Sequence, residues 1–177
     1  MTASKQVDEK LLALREAFDR SFAKADEVGR LAYLDFLSIR IAGDAYALRL
    51  SELASLHVDR KLVVAPSLLP ELLGIAGFRT VLTPIYDLGA LLGYATGRTT
   101  KWLVVAQSPT PIGFAFDAFD AHLRVPVEHV STGEASEGGS ARGAVRHGEA
   151  LLPLLHLPSF VEGIAQRIKA LGPSQER

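Results

Sequence analysis

Cysteine is absent from this chain of 177 residues, which excludes disulfide bonds, thiolate metal ligands and a cysteine nucleophile. A basic excess is also absent, since 19 lysines and arginines stand against 20 aspartates and glutamates. Because binding to phosphates usually requires such an excess, the composition argues against a dedicated nucleic-acid-binding protein. The longest apolar runs, such as Leu151 to Leu155, are far shorter than the roughly 20 residues of a membrane span. We therefore expect a soluble, cytoplasmic protein.

The chain also lacks the short motifs on which most enzymes depend. The segment Gly93 to Thr99 is one residue too short for a phosphate-binding loop and has Arg where that loop has Lys. No Gly-x-Ser-x-Gly nucleophile motif occurs, and no two of the five histidines have the four-residue spacing of a helical metal site. The carboxylates of Asp117 and Asp120 are better explained as strand-ending residues that hydrogen-bond turn amides. We therefore expect no enzymatic activity, no cofactor and no metal.

The first 30 residues have the pattern of one amphipathic helix. Apolar residues recur there at spacings of three and four, which places them on one face: Val7, Leu11, Leu14, Phe18, Phe22 and Ala25. Such a helix either packs on its own domain or binds a partner. We predict that residues 1–30 form an N-terminal helical extension.

From Leu31 onwards, short apolar runs separated by Gly, Pro and Asp indicate a mainly β fold, either a sandwich or a barrel. The predicted hairpins are Phe36–Ile41 with Ala45–Leu50 around Gly43-Asp44, and Ala144–His147 with Ala150–Leu155 around Gly148-Glu149. Between them, Ile75–Leu82 and Pro84–Leu88 are two apolar stretches on either side of Thr83-Pro84. A mobile loop is expected over residues 131–140. A last helix is expected over Ser159–Leu171, with Val161, Ile164, Ile168 and Leu171 on its apolar face. The domain then covers residues 31–171, and residues 172–177 form a disordered tail.

Three segments, taken in order, resemble the CheW family of bacterial chemotaxis adaptors over roughly residues 32 to 165. The first is the hairpin from Phe36 to Leu50. The second runs from Leu72 to Leu88 and is similar to the family pattern Gly-Val-x-Asn-Leu-Arg-Gly-x-Val-x-Pro-Val-x-Asp-Leu. The residues in register with it are Gly74, Arg79, Pro84, Asp87 and Leu88. The third pairs the run from Gly113 through Asp117 to Phe119 with the closing hairpin from Gly143 to Leu157.

This resemblance implies two small five-stranded SH3-like barrels around a shared core, with a short C-terminal helix. It also implies a non-enzymatic adaptor that couples the regulatory domain of a CheA-type histidine kinase to the cytoplasmic tip of a chemoreceptor, or binds other CheW-like proteins. The residues expected to bind a partner are Gly74, Ile75, Gly77, Phe78, Arg79 and Thr80. Those expected to maintain the structural motif are Pro84, Asp87, Gly113 and Asp117.

The sequence departs from the family pattern at three positions and leaves alternatives open. Gly77 replaces an Asn, Thr80 replaces a Gly, and His156 replaces the Asp that usually ends the last hairpin. An adaptor that has lost its receptor or kinase contact is therefore one alternative, and a small barrel that binds a ligand or acts as an enzyme is another. Arg79 either binds a carboxylate or carbonyls of a partner or pairs internally with Asp87 or Asp117.

Overall fold

A computed structural model describes residues 32–133 and 141–171 of the chain. The predicted N-terminal helix, the predicted C-terminal tail and most of the predicted loop lie outside the described residues. In the part that is described, no helix is long and apolar enough to cross a membrane.

The described residues form a mainly β fold. Its strands are β1 (Tyr33–Ile41), β2 (Asp44–Arg49), β3 (Leu53–Val58), β4 (Leu72–Phe78), β5 (Val81–Asp87), β6 (Trp102–Ala106), β7 (Gly113–Phe116), β8 (Ala118–Pro126), β9 (Val130–Ser131), β10 (Ala141–His147) and β11 (Ala150–Leu155). A four-residue helix, α1 (Leu88–Leu91), follows β5, and a longer helix, α2 (Leu157–Leu171), follows β11.

The strands form two curled sheets, as the predicted pair of small barrels requires. The first sheet has the order β8-β1-β2-β11-β10-β9, and the second has the order β3-β6-β7-β5-β4. The first sheet contains a sixth strand because the two-residue β9 pairs with β10. The double-barrel prediction is confirmed.

Both sheets follow the same path. In the second, β3 pairs with β6, β6 with β7, β7 with β5 in parallel, and β5 with β4. In the first, β8 pairs with β1, β1 with β2, β2 with β11 in parallel, and β11 with β10. The bridge between Val63 and Ile75 at the edge of β4 corresponds to the pairing of β9 with β10. One chain thus builds the same topology twice.

Alternation along the strands divides the core into three parts. One interior is filled by residues of the first sheet, including Phe36, Val125 and Leu154, and the other by residues of the second, including Ile85 and Leu103. Side chains on the opposite faces of both sheets meet α2 in a shared core that includes Leu48, Phe114, Phe116, Leu155 and Phe160. The shared core is confirmed. Filled interiors weigh against the alternative of a ligand-binding barrel.

The two apolar stretches around Thr83-Pro84 belong to one hairpin, and its turn lies before the point that divides them. The chain reverses at Arg79-Thr80, and Thr83 and Pro84 lie inside β5. A proline inside a sheet normally removes a ladder hydrogen bond. Here Pro84 is paired with Ile75, whose N–H and carbonyl both form hydrogen bonds with Val63 on the outer side of β4. The pair of Ile75 and Pro84 is therefore a non-hydrogen-bonded pair, and the nitrogen of Pro84 points away from β4. Pairing with β7 begins only at the next residue, and no donor is needed at Pro84.

Two further boundaries differ from the prediction. The first hairpin turns at Ala42-Gly43, where both φ angles are positive, rather than at Gly43-Asp44. The last helix begins at Leu157, and its buried residues are Leu157, Phe160 and Ile164. The predicted face is therefore correct only in its first half, since Ile168 and Leu171 are half exposed. They lie beyond the end of the shared core that covers the start of α2.

Deleting residues 1–30 is expected to leave the barrels folded. The residues that match the family pattern begin only at Phe36, and β1 begins at Tyr33. A cooperative thermal transition of the shortened protein, followed by circular dichroism, checks this. Loss of that transition would show that the N-terminal segment is part of the core.

Candidate functional site

The hairpin of β4 and β5 contains the six residues predicted to bind a partner, together with Pro84 and Asp87. It forms one edge of the second sheet, and the backbone of Val63 is bonded to the outer side of β4 at Ile75. Gly74 permits this close approach, because a Cβ there would lie 2.5 Å from the carbonyl oxygen of Val63 and its φ is +148°. Gly74 is buried, so its contribution is to the shape of the hairpin.

The outward side of this hairpin is an apolar surface, here called the hairpin face and defined as Val63, Ile75, Leu82 and Pro84. Directly paired residues share a side of a sheet, and the pairs on this side are Ile75 with Pro84 and Gly77 with Leu82. Gly77 adds no side chain, so Leu82 stands clear and is 73% exposed, while Val63 is 68% exposed. Exposed apolar groups collected on one face are typical of an interaction surface.

The other barrel presents a similar but smaller surface at the hairpin of β10 and β11. Leu151 and Pro153 occupy the positions of Leu82 and Pro84, and in both strands parallel pairing begins at the residue after the proline. Leu151 is 64% exposed. Gly143 corresponds to Gly74, since a Cβ there would collide with the carbonyl oxygen of Ser131. The predicted closing hairpin is confirmed. Its exposed apolar side was not predicted from the sequence.

Arg79 and Thr80 form the tip of the first hairpin and are exposed. The φ of Arg79 is +56°, whereas Thr80 has no positive φ. In two-residue hairpin turns with a positive φ only at the first residue, here Arg79, that position favours glycine. A non-glycine residue in this region carries strain of order 1 kcal/mol, which proteins retain mainly at functional sites. No salt bridge joins Arg79 to any residue that the structure describes.

Beside the tip lies a groove of about 490 Å³, here called the seam groove. It is lined by Ala54, Ser55, His57, Arg60, Phe78 and Arg79. The ring of His57 lies 4.5 Å from that of Phe78, and the guanidinium of Arg60 lies 5.6 Å from the centre of the same ring. Burial and then the positive charge of Arg60 lower the pKa of His57 below its usual value.

Behind the hairpin, Arg98 bridges the buried carboxylate of Asp87 and the partly exposed carboxylate of Asp117. Its Nη2 lies 2.8 Å from Oδ1 of Asp87, and its Nη1 lies 3.3 Å from Oδ2 of Asp117. The same Asp87 oxygen accepts hydrogen bonds from the amides of Gly89 and Ala90 at the start of α1. Asp87 and Asp117 therefore pair with Arg98, and not with Arg79 as the internal alternative required.

This bridge connects the two barrels. Asp87 ends β5 of the second sheet, whereas Asp117 accepts a hydrogen bond of 2.6 Å from the amide of Ala42 in the β1–β2 turn of the first. Gly89 makes room for the guanidinium, because a Cβ there would collide with it. Sequence reasoning missed Arg98, although its place in a Gly-rich turn shortly after Asp87 was a usable signal.

The remaining predicted residues occupy structural positions. Gly113 lies against the side chain of Ile85, where β7 meets β5, and a Cβ there would collide with that side chain. His156, which replaces the family's Asp, hydrogen-bonds the hydroxyl of Ser159 at the start of α2. Within residues 32–133 and 141–171, no three histidines or carboxylates come together as metal ligands.

Comparison with protein-family models matches residues 35–165 to the CheW-like domain. The chain belongs to the CheW-like domain family. This match covers all eleven strands of the CheW-like domain except the first two residues of β1, and it ends inside α2. Comparison with curated proteins finds no sequence match.

Among solved structures, the CheW-like domain is similar to the scaffolding protein TtCheW from Thermoanaerobacter tengcongensis. The TM-score is 0.64 at 13% sequence identity, and the alignment covers 70% of this chain and 88% of TtCheW. At this identity the similarity concerns the fold. It agrees with the double barrel derived from the sheet topology.

Proposed function

We propose that this protein is a non-enzymatic, cytoplasmic adaptor in bacterial chemosensory signalling, which couples a CheA-type histidine kinase to chemoreceptors. Membership of the CheW-like domain family supports this proposal, and the similar structure is that of a scaffolding protein. In this role the protein performs no catalysis and contributes only binding surfaces.

The observation that carries the proposal is the pair of exposed apolar surfaces on two barrels of the same topology. An adaptor must hold two partners at once, so it needs two surfaces that can be occupied together. The hairpin face and the surface around Leu151 and Pro153 belong to different sheets. Apolar side chains that a partner covers can supply the centre of an interface, with polar groups around it.

The hairpin of β4 and β5 is the proposed site for the regulatory domain of the kinase. Ile75, Gly77 and Leu82 offer an apolar patch, and the tip adds the guanidinium of Arg79. The aromatic ring of Phe78 lies on the other side of β4, in the seam groove next to the tip. Arginine and aromatic residues are common among those that contribute most to binding. The receptor tip or another CheW-like protein then binds elsewhere, and the surface of the other barrel is available for it.

The test is to titrate the purified protein separately against the kinase regulatory domain and a receptor signalling fragment. An adaptor binds both. The departures from the family pattern at Gly77, Thr80 and His156 favour a second candidate, a specialised adaptor that has lost one contact. That candidate binds only one of the two, whereas binding to neither contradicts both forms of the proposal.

Replacing Leu82 by Asp is expected to weaken binding to the kinase regulatory domain at least tenfold without unfolding the protein. The aspartate places a charge in a contact that becomes desolvated on binding, which weakens binding. Position 82 is mostly exposed in the free protein, so the fold tolerates the charge. Isothermal titration calorimetry and a thermal melt measure the two effects. Leu68→Asp is the matched control, because Leu68 is 77% exposed but lies in the connection between β3 and β4. Equal binding by both variants would remove the hairpin face from the interface.

A further inference from the structure

The seam groove combines positive charge with an aromatic surface. Two of its lining residues, Arg60 and Arg79, carry guanidinium groups, and no described residue in the lining carries a carboxylate. Neither guanidinium forms a salt bridge with any residue in the described part of the chain. Asp59 is next to Arg60 in sequence but does not line the groove. The groove therefore has two positive charges that the rest of the described domain does not neutralise.

The groove lies where the second sheet leaves its barrel open. Its walls come from β3 and from the end of β4, which are the two edge strands of that sheet. Phe78 stands between these walls, in contact with His57, and Ser55 fixes the imidazole through a hydrogen bond of 2.8 Å. Edge strands offer backbone groups that no neighbouring strand occupies, so an extended chain can lie along such a groove.

We propose that the seam groove binds an acidic segment of the partner protein, with a carboxylate between Arg60 and Arg79 and an apolar side chain against Phe78. This inference rests on the proposed function, because it names the chemistry of the partner at the hairpin. The planar donors of guanidinium groups match a carboxylate in two-point contacts. The ring of Phe78 provides the apolar surface beside them.

A carboxylate is favoured over a phosphate on two grounds. An unmodified protein partner supplies carboxylates from Asp and Glu, whereas phosphate requires modification or a nucleic acid. Nucleic-acid binding normally depends on a broad basic surface, and the whole chain has a net charge of -1. The cationic character is confined to one groove next to an apolar face, which suits an acidic segment flanked by apolar residues.

The first experiment measures the affinity of Arg60→Gln for the kinase regulatory domain. Arg60 lies outside the motif shared with the family, so this residue tests the groove rather than the motif. Loss of a charge-assisted contact is expected to weaken binding about tenfold. It should also reduce the salt dependence of the affinity between 50 and 300 mM NaCl, while the melting temperature stays unchanged. Arg124→Gln is the matched control, because Arg124 also lies over an aromatic ring, 5.2 Å from the centre of Tyr33.

The second experiment measures direct binding of a labelled peptide that alternates Glu and Leu. The wild-type protein is expected to bind it and the double variant Arg60→Gln, Arg79→Gly to lose it, even if the kinase domain binds elsewhere. Wild-type affinity of Arg60→Gln for the kinase domain, together with equal peptide binding by the double variant, would overturn the groove proposal alone. Stronger competition by inorganic phosphate or by a single-stranded oligonucleotide than by the peptide would also overturn it. Failure of the wild-type protein to bind the kinase domain would instead count against the proposed function.

Discussion

Replacing Arg98 by Ala is expected to lower the free energy of unfolding by about 3–5 kcal/mol. Arg98 neutralises Asp87, whose side chain is only 2% exposed, and it also contacts Asp117. Removing the guanidinium leaves a buried carboxylate without its counter-charge, which costs far more than the loss of an exposed ion pair. It also loosens the connection from β5 to the β1–β2 turn. Urea denaturation followed by fluorescence of the single tryptophan measures the change.

The matched control for this prediction is Arg40→Ala. Arg40 also pairs with an aspartate, at 2.7 Å from Asp120, but both side chains are exposed. Exposed ion pairs contribute about 0–1 kcal/mol, so the control should remain close to wild type. If Arg98→Ala and Arg40→Ala lose the same stability, the bridge of Arg98 contributes no more than an exposed ion pair.

Replacing Arg79 by Ala is expected to reduce affinity for the kinase regulatory domain about 30-fold or more. Truncating one side of a desolvated charged contact typically costs roughly 2–5 kcal/mol, and each 1.4 kcal/mol is a factor of ten. The fold should survive, because Arg79 is exposed and makes no salt bridge within the described residues. Calorimetric titration measures the affinity, and a thermal melt of the same sample measures the stability of the fold.

The variant Arg79→Gly sharpens this test. Glycine adopts the positive φ of this turn without strain, so the variant should be at least as stable as Arg79→Ala. If the guanidinium is what binds, both variants lose affinity equally although their stabilities differ. Affinity that follows stability across the two variants would contradict a direct contact, and unchanged affinity in both would remove Arg79 from the interface.

The mainly β fold and its double-barrel form could be predicted from the sequence because local signals agreed with the family motif. Short apolar runs indicated strands. The order and spacing of the motifs supported the resemblance to the CheW family, and that resemblance implied the two barrels. The hairpin of β10 and β11 was predicted correctly, since Gly148-Glu149 is a strong local turn signal. Where a turn is marked by glycine next to a polar residue, sequence reasoning places it within about a residue.

The hairpin of β4 and β5 shows where this reasoning stops. The sequence divides its apolar residues at Thr83-Pro84, but Pro84 lies inside β5. The sheet leaves the nitrogen of Pro84 without a required partner, and that depends on Val63 from a distant loop. The residues of the seam groove escaped prediction for the same reason. Their contacts join residues from two edge strands, and no local pattern records which edge strands will come together.

The most direct test of the adaptor function is a bridging experiment. A receptor signalling fragment is immobilised, and retention of the kinase regulatory domain is measured as this protein is added. We expect retention to depend on the protein, to rise to a maximum, and to fall again in excess, when each partner is occupied by separate copies. Leu82→Asp and Leu151→Asp should each abolish retention. If the kinase domain is retained equally without this protein, or if neither variant changes its retention, the protein does not join the two partners through its hairpin surfaces.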